Sequence, residues 1–372
     1  MIRSMNKNIK YCFLAVLAFV LVSMLNSCDD WTESESLDLK NPTFEEQNTQ
    51  LYADYLENLR TYKTGKHSVL IVSFDNSLTF PVKQAERLTA IPDSVDYICL
   101  NNPKDLHPEY QEEMVKIRKD KGTKTIYMIS YDFFETQWNE KQKNNPELTE
   151  EEALVFINES TDEMLALCDQ FGFDGILVDY TGRSLVSLTE EALALYNARQ
   201  QSFFGKVMSW KESHQNKNLV FYGNIQYLVP ENMDMLNKYD FLIIKTALST
   251  NMDELTLYAY LAIQAGEDAI KEAKDGIEGE HEVKTNPVPT DRFMACVQLP
   301  QKDDREQIFG YWNTVSADGG KTLAYLGASQ WVVQESVDFN RRGIFIMNIH
   351  NDYYNNTYKS VRDAICVMNP NK

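Results

Sequence analysis

The chain has 372 residues, of which 55 are acidic and 36 are basic, so its formal net charge is −19. A surface this acidic repels nucleic acid and anionic membranes, and we therefore expect no nucleic acid as a partner. Neutral ligands such as glycans are compatible with this charge. Neither the six cysteines nor the five histidines have the close spacing of metal ligands, so we predict no metal ion and no other cofactor.

The first 27 residues have the composition of a secretory signal. Arg3, Lys7 and Lys10 form a basic start, and an apolar stretch follows from residue 11 to residue 25. This stretch is short and is closely followed by acidic residues, which argues against a membrane-spanning helix. We therefore predict that residues 1–27 are a signal peptide.

The end of this segment, Leu25-Asn26-Ser27-Cys28, resembles a bacterial lipobox, in which the cysteine is lipidated and becomes the new N-terminus. The alternative is an ordinary signal peptide with a chance cysteine. Two aspartates directly after Cys28 resemble the surface-export signal of Bacteroidetes lipoproteins. The resemblance implies a lipid anchor on Cys28 and a position on the outer surface of the outer membrane. A periplasm-facing position is the alternative.

Four further cysteines lie in apolar runs, which predicts that they are buried as small hydrophobic side chains. A disulfide between two of them is left open, because the predicted compartment permits it. These cysteines are Cys99, Cys168, Cys296 and Cys366.

Residues 28–48 are rich in Glu, Ser, Asp and Asn, which indicates a flexible tether. Helical periodicity begins near Phe44 and continues to about Tyr62. From there apolar runs alternate with amphipathic segments, which is typical of an α/β fold with a parallel sheet. The predicted strands are Ser68–Phe74, Asp96–Leu100, Thr125–Ser130, a run within Phe171–Gly182, Leu219–Ile225, Phe241–Thr246, Arg292–Leu299 and Gly343–Ile349.

The segments between these strands predict helices, with a polar loop from the third strand to Asn145 and a surface excursion over residues 266–290. Eight strands without an internal linker or repeat predict one (β/α)8 barrel, a TIM barrel, over residues 49–372. The predicted helices are Pro108–Lys121, Thr149–Gln170, Thr189–His214, Asp253–Ala265, Lys321–Val333 and Tyr358–Val367.

The fourth predicted strand lies between Asp174-Gly175 and Thr181-Gly182. Its last polar side chains, Asp179 and Thr181, alternate with an aromatic residue and should therefore point inward at the C-terminal end of the strand. This is the end at which (β/α)8 barrels carry their catalytic residues.

The same stretch resembles the signature of glycoside hydrolase family 18, Asp-Gly-x-Asp-x-Asp-x-Glu on the fourth barrel strand. Asp174, Gly175 and Asp179 match this pattern, whereas Leu177 stands at the first inner Asp and Thr181 at the proton-donating Glu. In the family, that Glu protonates the leaving oxygen and the neighbouring Asp orients the N-acetyl group of the substrate as nucleophile. A threonine hydroxyl is not a general acid near neutral pH. The resemblance therefore implies the fold without the acid.

Other landmarks of the family are also altered. The third strand lacks Ser-x-Gly-Gly, the sixth ends in Ile244-Lys245-Thr246-Ala247 where the family has Met-x-Tyr-Asp, and no Trp ends the eighth strand. Asp179 remains, and its alternative role is structural. We expect Lys245 to pair with Asp179 inside the barrel mouth, because a buried charge requires a partner.

The predicted strand ends carry amides, carboxylates and aromatic rings, which are groups that bind sugar hydroxyls and stack on pyranose faces. Any single Asn or Asp in such a place is also a turn former. The expected glycan-binding residues are Tyr131, Asp132, Asp179, Thr181, Asn224, Gln226, Tyr227, Lys245, Gln298, Asn348 and His350, and the other strand-end residues are Asp75, Asn76, Asn101, Asn102, Asn351 and Asp352.

His350 and Asp352 would make an acid–base pair if their side chains met, but a sugar contact or a structural role for His350 is the preferred interpretation.

Three functions follow from these observations. The first is a surface lipoprotein that binds N-acetylglucosamine-containing glycans, such as N-glycans, without cleaving them, resembling proteins that serve Sus-type import complexes. The second is an active endo-β-N-acetylglucosaminidase-type hydrolase that recruits Asp179, Asp132 or Asp352 as a non-standard acid. The third is an interaction role in an import complex without a glycan site.

Overall fold

The computed structural model describes residues 44–77, 80–275 and 286–370. The predicted signal peptide, Cys28 and most of the tether therefore lie outside the described residues. The chain divides into two units, one that ends at Tyr55 and one that begins at Leu56. In the first unit the structure describes helix α1 (Phe44–Gln47) and the start of helix α2 (Thr49–Thr64). In the described ranges, no helix is both long and apolar enough to span a membrane.

The second unit contains a closed barrel of eight parallel strands, and the predicted fold class is confirmed. Each strand is hydrogen-bonded to the next along the chain, and the last strand pairs with the first to close the barrel. The barrel strands are β1 (Val69–Phe74), β2 (Tyr97–Leu100), β3 (Lys124–Ser130), β4 (Gly175–Tyr180), β5 (Asn218–Gly223), β6 (Phe241–Ile244), β7 (Phe293–Gln298) and β10 (Arg341–Met347).

Helices surround this barrel, and short 3₁₀ turns lie at Gln84–Glu86, Leu88–Ala90, Ile225–Tyr227, Pro230–Lys238 and Ile349–Asp352. An antiparallel hairpin, β8 (Tyr311–Val315) and β9 (Lys321–Leu323), follows β7. The helices are α3 (Pro108–Lys121), α4 (Tyr131–Asn144), α5 (Glu150–Gln170), α6 (Glu190–Ser213), α7 (Met252–Asp275), α8 (Ala324–Val332) and α9 (Lys359–Met368).

Three predicted segments differ from the structure. The predicted polar loop after the third strand is helix α4, which begins directly at the strand end because Ser130 caps it, accepting the N–H of Phe133 at 3.3 Å. The predicted helix over Lys321–Val333 begins only at Ala324, because its first three residues pair with β8. Helix α7 continues to Asp275, well into the segment predicted as an excursion.

Two apolar clusters show how the strands alternate. Ile71, Leu177 and Tyr222 belong to the smaller cluster inside the barrel, whereas Val178 and Tyr180 belong to the larger one between the strands and the helices. Residues two apart on a strand point to the same side. The inward direction predicted for Asp179 therefore follows from that of Leu177, two residues earlier.

All four cysteines in the described residues are free thiols, and three of them are buried as predicted. Cys366 is exposed, so its predicted burial is wrong: it lies on the outer face of α9, while Val361 and Ala364 face the barrel. Among the residues that the structure describes, no group of three or more His, Cys, Asp or Glu is arranged to hold a metal ion.

At the N-terminal ends of the strands, which we call the base, one arrangement occurs three times. An aspartate just before each of β2, β4 and β6 accepts the backbone N–H of a residue on the preceding strand, at 2.8 to 2.9 Å. The pairs are Asp96 with Leu70, Asp174 with Thr125, and Asp240 with Leu219. These three base aspartates connect neighbouring strands where the regular ladder begins.

Candidate functional site

The C-terminal ends of the strands, which we call the mouth, hold an ion pair near the barrel axis. Lys245 Nζ lies 2.6 Å from Asp179 Oδ1, and the two side chains are 19 % and 15 % exposed. The predicted pairing is confirmed. The same ammonium donates a hydrogen bond to Thr181 Oγ1 at 2.8 Å and lies 4.5 Å from the centre of the Tyr222 ring. One lysine thus contacts both side chains at the end of the fourth strand.

Beneath this pair the barrel interior is apolar and uncharged. Tyr222 is buried, and its hydroxyl lies 3.6 Å from both Cys296 Sγ and Met347 Sδ. Burial raises the pKa of the Tyr222 hydroxyl far above its ordinary value, and burial also raises the pKa of the Cys296 thiol to about 12. Neither group carries charge near neutral pH, so these side chains beneath the ion pair are neutral.

The loop that carries Thr181 is fixed from two sides. The Asp132 carboxylate, in the first turn of α4, accepts the N–H of Thr181 at 2.5 Å and the N–H of Gly182 at 3.1 Å. Asn224, after β5, donates its amide to the Thr181 carbonyl at 2.9 Å. Asp132 and Asn224 therefore orient Thr181, a role that the sequence does not reveal.

Gly182 is required by the path of this loop. Its φ is +63°, a left-handed conformation that side chains disfavour, and a Cβ there would lie 2.6 Å from the Tyr180 ring. The Tyr180 hydroxyl bonds Tyr196 Oη at 2.6 Å and the Tyr227 carbonyl at 2.7 Å, and it accepts from Gln200 at 2.7 Å. This buried network supports the loop from the helix side.

Tyr131 does not line the mouth, so the prediction that its ring faces a cleft is wrong. The side chain is 1 % exposed, and its ring packs against Tyr180 and Phe203 at centroid distances of 5.4 and 5.3 Å. As the first residue of α4 it turns into the layer between strands and helices. Tyr227 is half-buried and also packs against that outer cluster. Neither tyrosine therefore offers the free ring face that we expected.

The other predicted residues are spread along the mouth. Gln226 lies in the 3₁₀ turn after β5, and Gln298 is the half-buried last residue of β7. Asn348 adopts a left-handed conformation, with φ of +60°, and donates its N–H to Ser73 Oγ at 2.9 Å. His350 is exposed in the following 3₁₀ turn.

Asp352 does not act with His350. Its buried carboxylate accepts the N–H of Val361 at 3.0 Å and the amide of Asn355 at 2.9 Å, so it anchors the start of α9. Its predicted candidacy as an acid at the mouth is therefore wrong, because the side chain faces a helix and not the barrel axis.

Sequence reasoning missed a set of exposed aromatic side chains on the segments that follow β1, β3, β7 and β10. Their side chains are between 47 % and 72 % exposed. The available signal was an aromatic residue in a polar segment just after a predicted strand. These four rim aromatics are Phe80, Phe133, Phe309 and Tyr354.

The comparisons agree with this geometry. The family model described as glycoside hydrolase family 18, BT1044-like, matches residues 32–367. Among solved structures, a selenomethionine BT1044 variant with a Glu-to-Gln change is 15% identical, with a TM-score of 0.58, over 88% of this chain and 96% of that one. No curated protein sequence matches the chain.

Two further structures are of an endo-β-N-acetylglucosaminidase from Cordyceps militaris. The apo form is 14% identical, with a TM-score of 0.53, over 85% of this chain and 96% of that one. The second carries an Asp-to-Asn and a Glu-to-Gln change two positions apart and holds fucosyl-N-acetylglucosamine-Asn. It is 15% identical, with a TM-score of 0.53, over 85% of this chain and 95% of that one. At these identities the likeness establishes the fold alone.

Proposed function

Because the chain belongs to glycoside hydrolase family 18, BT1044-like, we propose that its mouth binds an N-acetylglucosamine-containing glycan and does not hydrolyse it. The observation that carries this proposal is the contact of Lys245 with both Asp179 and Thr181. Glycoside hydrolysis of the usual kind needs a protonated acid beside the leaving oxygen. Position 181 offers a hydroxyl, and Asp179 is ion-paired.

The other carboxylates proposed as substitute acids are also engaged. Asp132 accepts two backbone N–H groups, and the buried Asp352 accepts one backbone N–H and one amide. Both carboxylates thus use their oxygens as hydrogen-bond acceptors within the protein. This favours a binding protein over a hydrolase with a non-standard acid.

Two features support binding of a glycan in particular. The rim aromatics are exposed on the segments that follow four barrel strands, and aromatic rings stack on the apolar faces of pyranose rings. The Cordyceps militaris enzyme with two substitutions two positions apart holds an N-acetylglucosamine-containing ligand. Asp179 and Thr181 are also two positions apart. This chain therefore has an Asp at the first position of that spacing and a Thr, instead of a Glu, at the second.

Calorimetric titration of the intact protein with N-glycans and chitooligosaccharides tests the proposal, with chromatography of the same mixtures after long incubation. We expect saturable binding at modest affinity and no released product. Turnover that Asp179→Asn abolishes would replace the proposal with the hydrolase alternative. Absence of binding would leave only the interaction role.

We further propose that the protein is a surface lipoprotein, held in the outer membrane by lipid on Cys28 and supplying glycan to a Sus-type importer. The support is the sequence of its first 30 residues. Lipid chains provide most of the membrane affinity of such proteins. We expect Cys28→Ala to release the protein from the outer-membrane fraction, and full retention would contradict the anchor.

A further inference from the structure

Lys245 stands at the unspecified position of the family pattern Met-x-Tyr-Asp, and its ammonium contacts both side chains at the end of β4. Its ammonium has three N–H donors. One is donated to Thr181 Oγ1 at 2.8 Å, the ammonium is ion-paired with Asp179 Oδ1 at 2.6 Å, and it lies over the Tyr222 ring at 4.5 Å. The charge of Lys245 therefore acts on both positions at the end of β4.

We propose that Lys245 is a positioning residue that blocks acid catalysis at the mouth independently of Thr181, because its ammonium is ion-paired with Asp179 and in direct contact with position 181. The inference rests on the proposed non-hydrolytic function and deepens it. Two features then prevent acid catalysis: the missing carboxyl at position 181 and the Lys245 ammonium beside it. Restoring a carboxyl at position 181 alone does not restore a proton donor.

The physical reason is the sign of the charge beside position 181. A general acid needs a carboxyl whose pKa is raised towards neutral pH, as burial or a like charge would do. A cation within about 4–6 Å acts in the opposite direction and lowers a carboxyl pKa by roughly 1–3 units. The ammonium already lies 2.8 Å from Thr181 Oγ1, so a carboxyl introduced there would be held ionised.

The charged and titratable groups around this point are few. Asp179 on β4 is paired with Lys245, and Asp132 at the start of α4 is occupied by two backbone N–H groups. From β5 and β7 come the hydroxyl of Tyr222 and the thiol of Cys296, which are neutral because burial raises the pKa of each. Arg183, two residues further along, has its guanidinium over the Tyr196 ring at 4.7 Å. Lys245 is thus the cation in direct contact with position 181.

Carbon-13 NMR of glutamate side-chain carboxyls tests this without any glycan. In Thr181→Glu the added resonance should titrate at least about one pH unit below the ordinary value near 4.3, a tenfold change in proton affinity. In the double variant Thr181→Glu/Lys245→Gln, which keeps a donor but removes the charge, its midpoint should rise by about one unit or more. An unchanged midpoint in the double variant would overturn the proposal.

A matched control replaces a lysine outside the mouth. Lys271 is exposed on α7 and paired with Asp268 at 3.1 Å, so Thr181→Glu/Lys271→Gln should titrate like Thr181→Glu. If Lys245→Gln does not fold, Thr181→Glu/Lys245→Met gives the same comparison. Failure of the proposed function appears separately, as released glycan or absent binding in the unmodified protein.

Discussion

The two ends of the barrel use charged side chains in different ways. At the base, each of three aspartates accepts a backbone N–H from the preceding strand. Asp96 also contacts the His67 ring at 2.8 Å, and Asp174 is ion-paired with Arg118 at 2.6 Å. At the mouth, Asp179 at the end of β4 is ion-paired with Lys245 directly after β6, and this pair bridges two strands that are not neighbours.

This difference separates maintenance of the fold from recognition. The aspartate contact at the base is repeated before β2, β4 and β6, so we assign it to the alignment of neighbouring strands. In (β/α)8 barrels generally, residues at the N-terminal ends of the strands stabilise the fold and residues at the C-terminal ends carry the catalytic chemistry. Asp174 and Gly175, at the base end of β4, still match the family signature, whereas Thr181, at its mouth end, does not. Along this strand the base end matches the signature, and at the mouth end Asp179 matches while the position of the proton donor does not.

Tyr131→Ala tests whether a residue at the mouth can stabilise the fold and not take part in recognition. Although Tyr131 follows a strand at the mouth, its ring is buried, so removing it should leave a cavity and cost about 3–5 kcal/mol of unfolding free energy. Urea denaturation measures this loss. A urea denaturation curve like that of the unmodified protein would mean that the Tyr131 ring is solvated and faces the cleft.

Gly175→Ala tests the base. A Cβ at this position would lie 2.1 Å from the backbone oxygen of Asn218, and backbone cannot move aside as a side chain does. We expect a loss of about 3 kcal/mol from this overpacking. Gly205→Ala on α6 is the control: nothing lies within 4 Å of its Cβ, so it should stabilise by roughly 0.5–1 kcal/mol. Equal effects of the two changes would contradict the steric explanation.

Lys63 gives the base a pH dependence. Its ammonium donates to the Val95 carbonyl and to Thr123 Oγ1, both at 2.6 Å, and burial lowers its pKa from 10.5 to about 8, against the opposing effect of Asp96. Below pH 8 both the folded and unfolded states carry the proton. Between pH 8 and 10.5 the unfolded state binds more protons, so stability rises with pH.

We therefore expect unfolding free energy to rise by about 1–2 kcal/mol from roughly pH 7.5 to 9.5, relative to Lys63→Met. Denaturant titrations of both proteins at several pH values measure it, and the difference between them removes the contribution of tyrosines and cysteines that ionise in the unfolded chain. Exposed Lys119 on α3 provides the control, since Lys119→Met should keep the rise. Parallel pH curves for the unmodified protein and Lys63→Met would show that Lys63 is not the titrating group.

Phe133→Ala tests the mouth and should have the smallest effect. Its ring is 57 % exposed two residues from the buried Tyr131, so its loss should leave stability nearly unchanged. Glycan affinity should fall by about 0.5–1.5 kcal/mol, roughly 2- to 12-fold, because one stacking face is removed. Calorimetry measures this, with Val155→Ala, an equally exposed side chain on α5, as the control. Undiminished affinity would remove Phe133 from the glycan site.

The sequence by itself determined the barrel and the missing acid. Strand positions follow from apolar runs between polar turns, because a strand buried on both faces needs a nearly continuous apolar segment. The inward direction of Asp179 and Thr181 follows from the two-residue period of a strand, and the absence of a proton donor at 181 from the chemistry of a hydroxyl. These are local properties of the chain, which do not depend on distant residues.

Only the tertiary structure decided which side chains face the mouth. Tyr131 and Phe133 stand in the same short segment, and their different exposure depends on α4 starting at Ser130 and on α6 packing Phe203 against Tyr131. The pairing of Lys245 with Asp179 was predictable from opposite charge, but its bond to Thr181 required the loop geometry that Asp132 and Asn224 impose. The three hydrogen bonds to Thr181 and its loop join residues 43, 49 and 64 positions apart, so no local pattern encodes them.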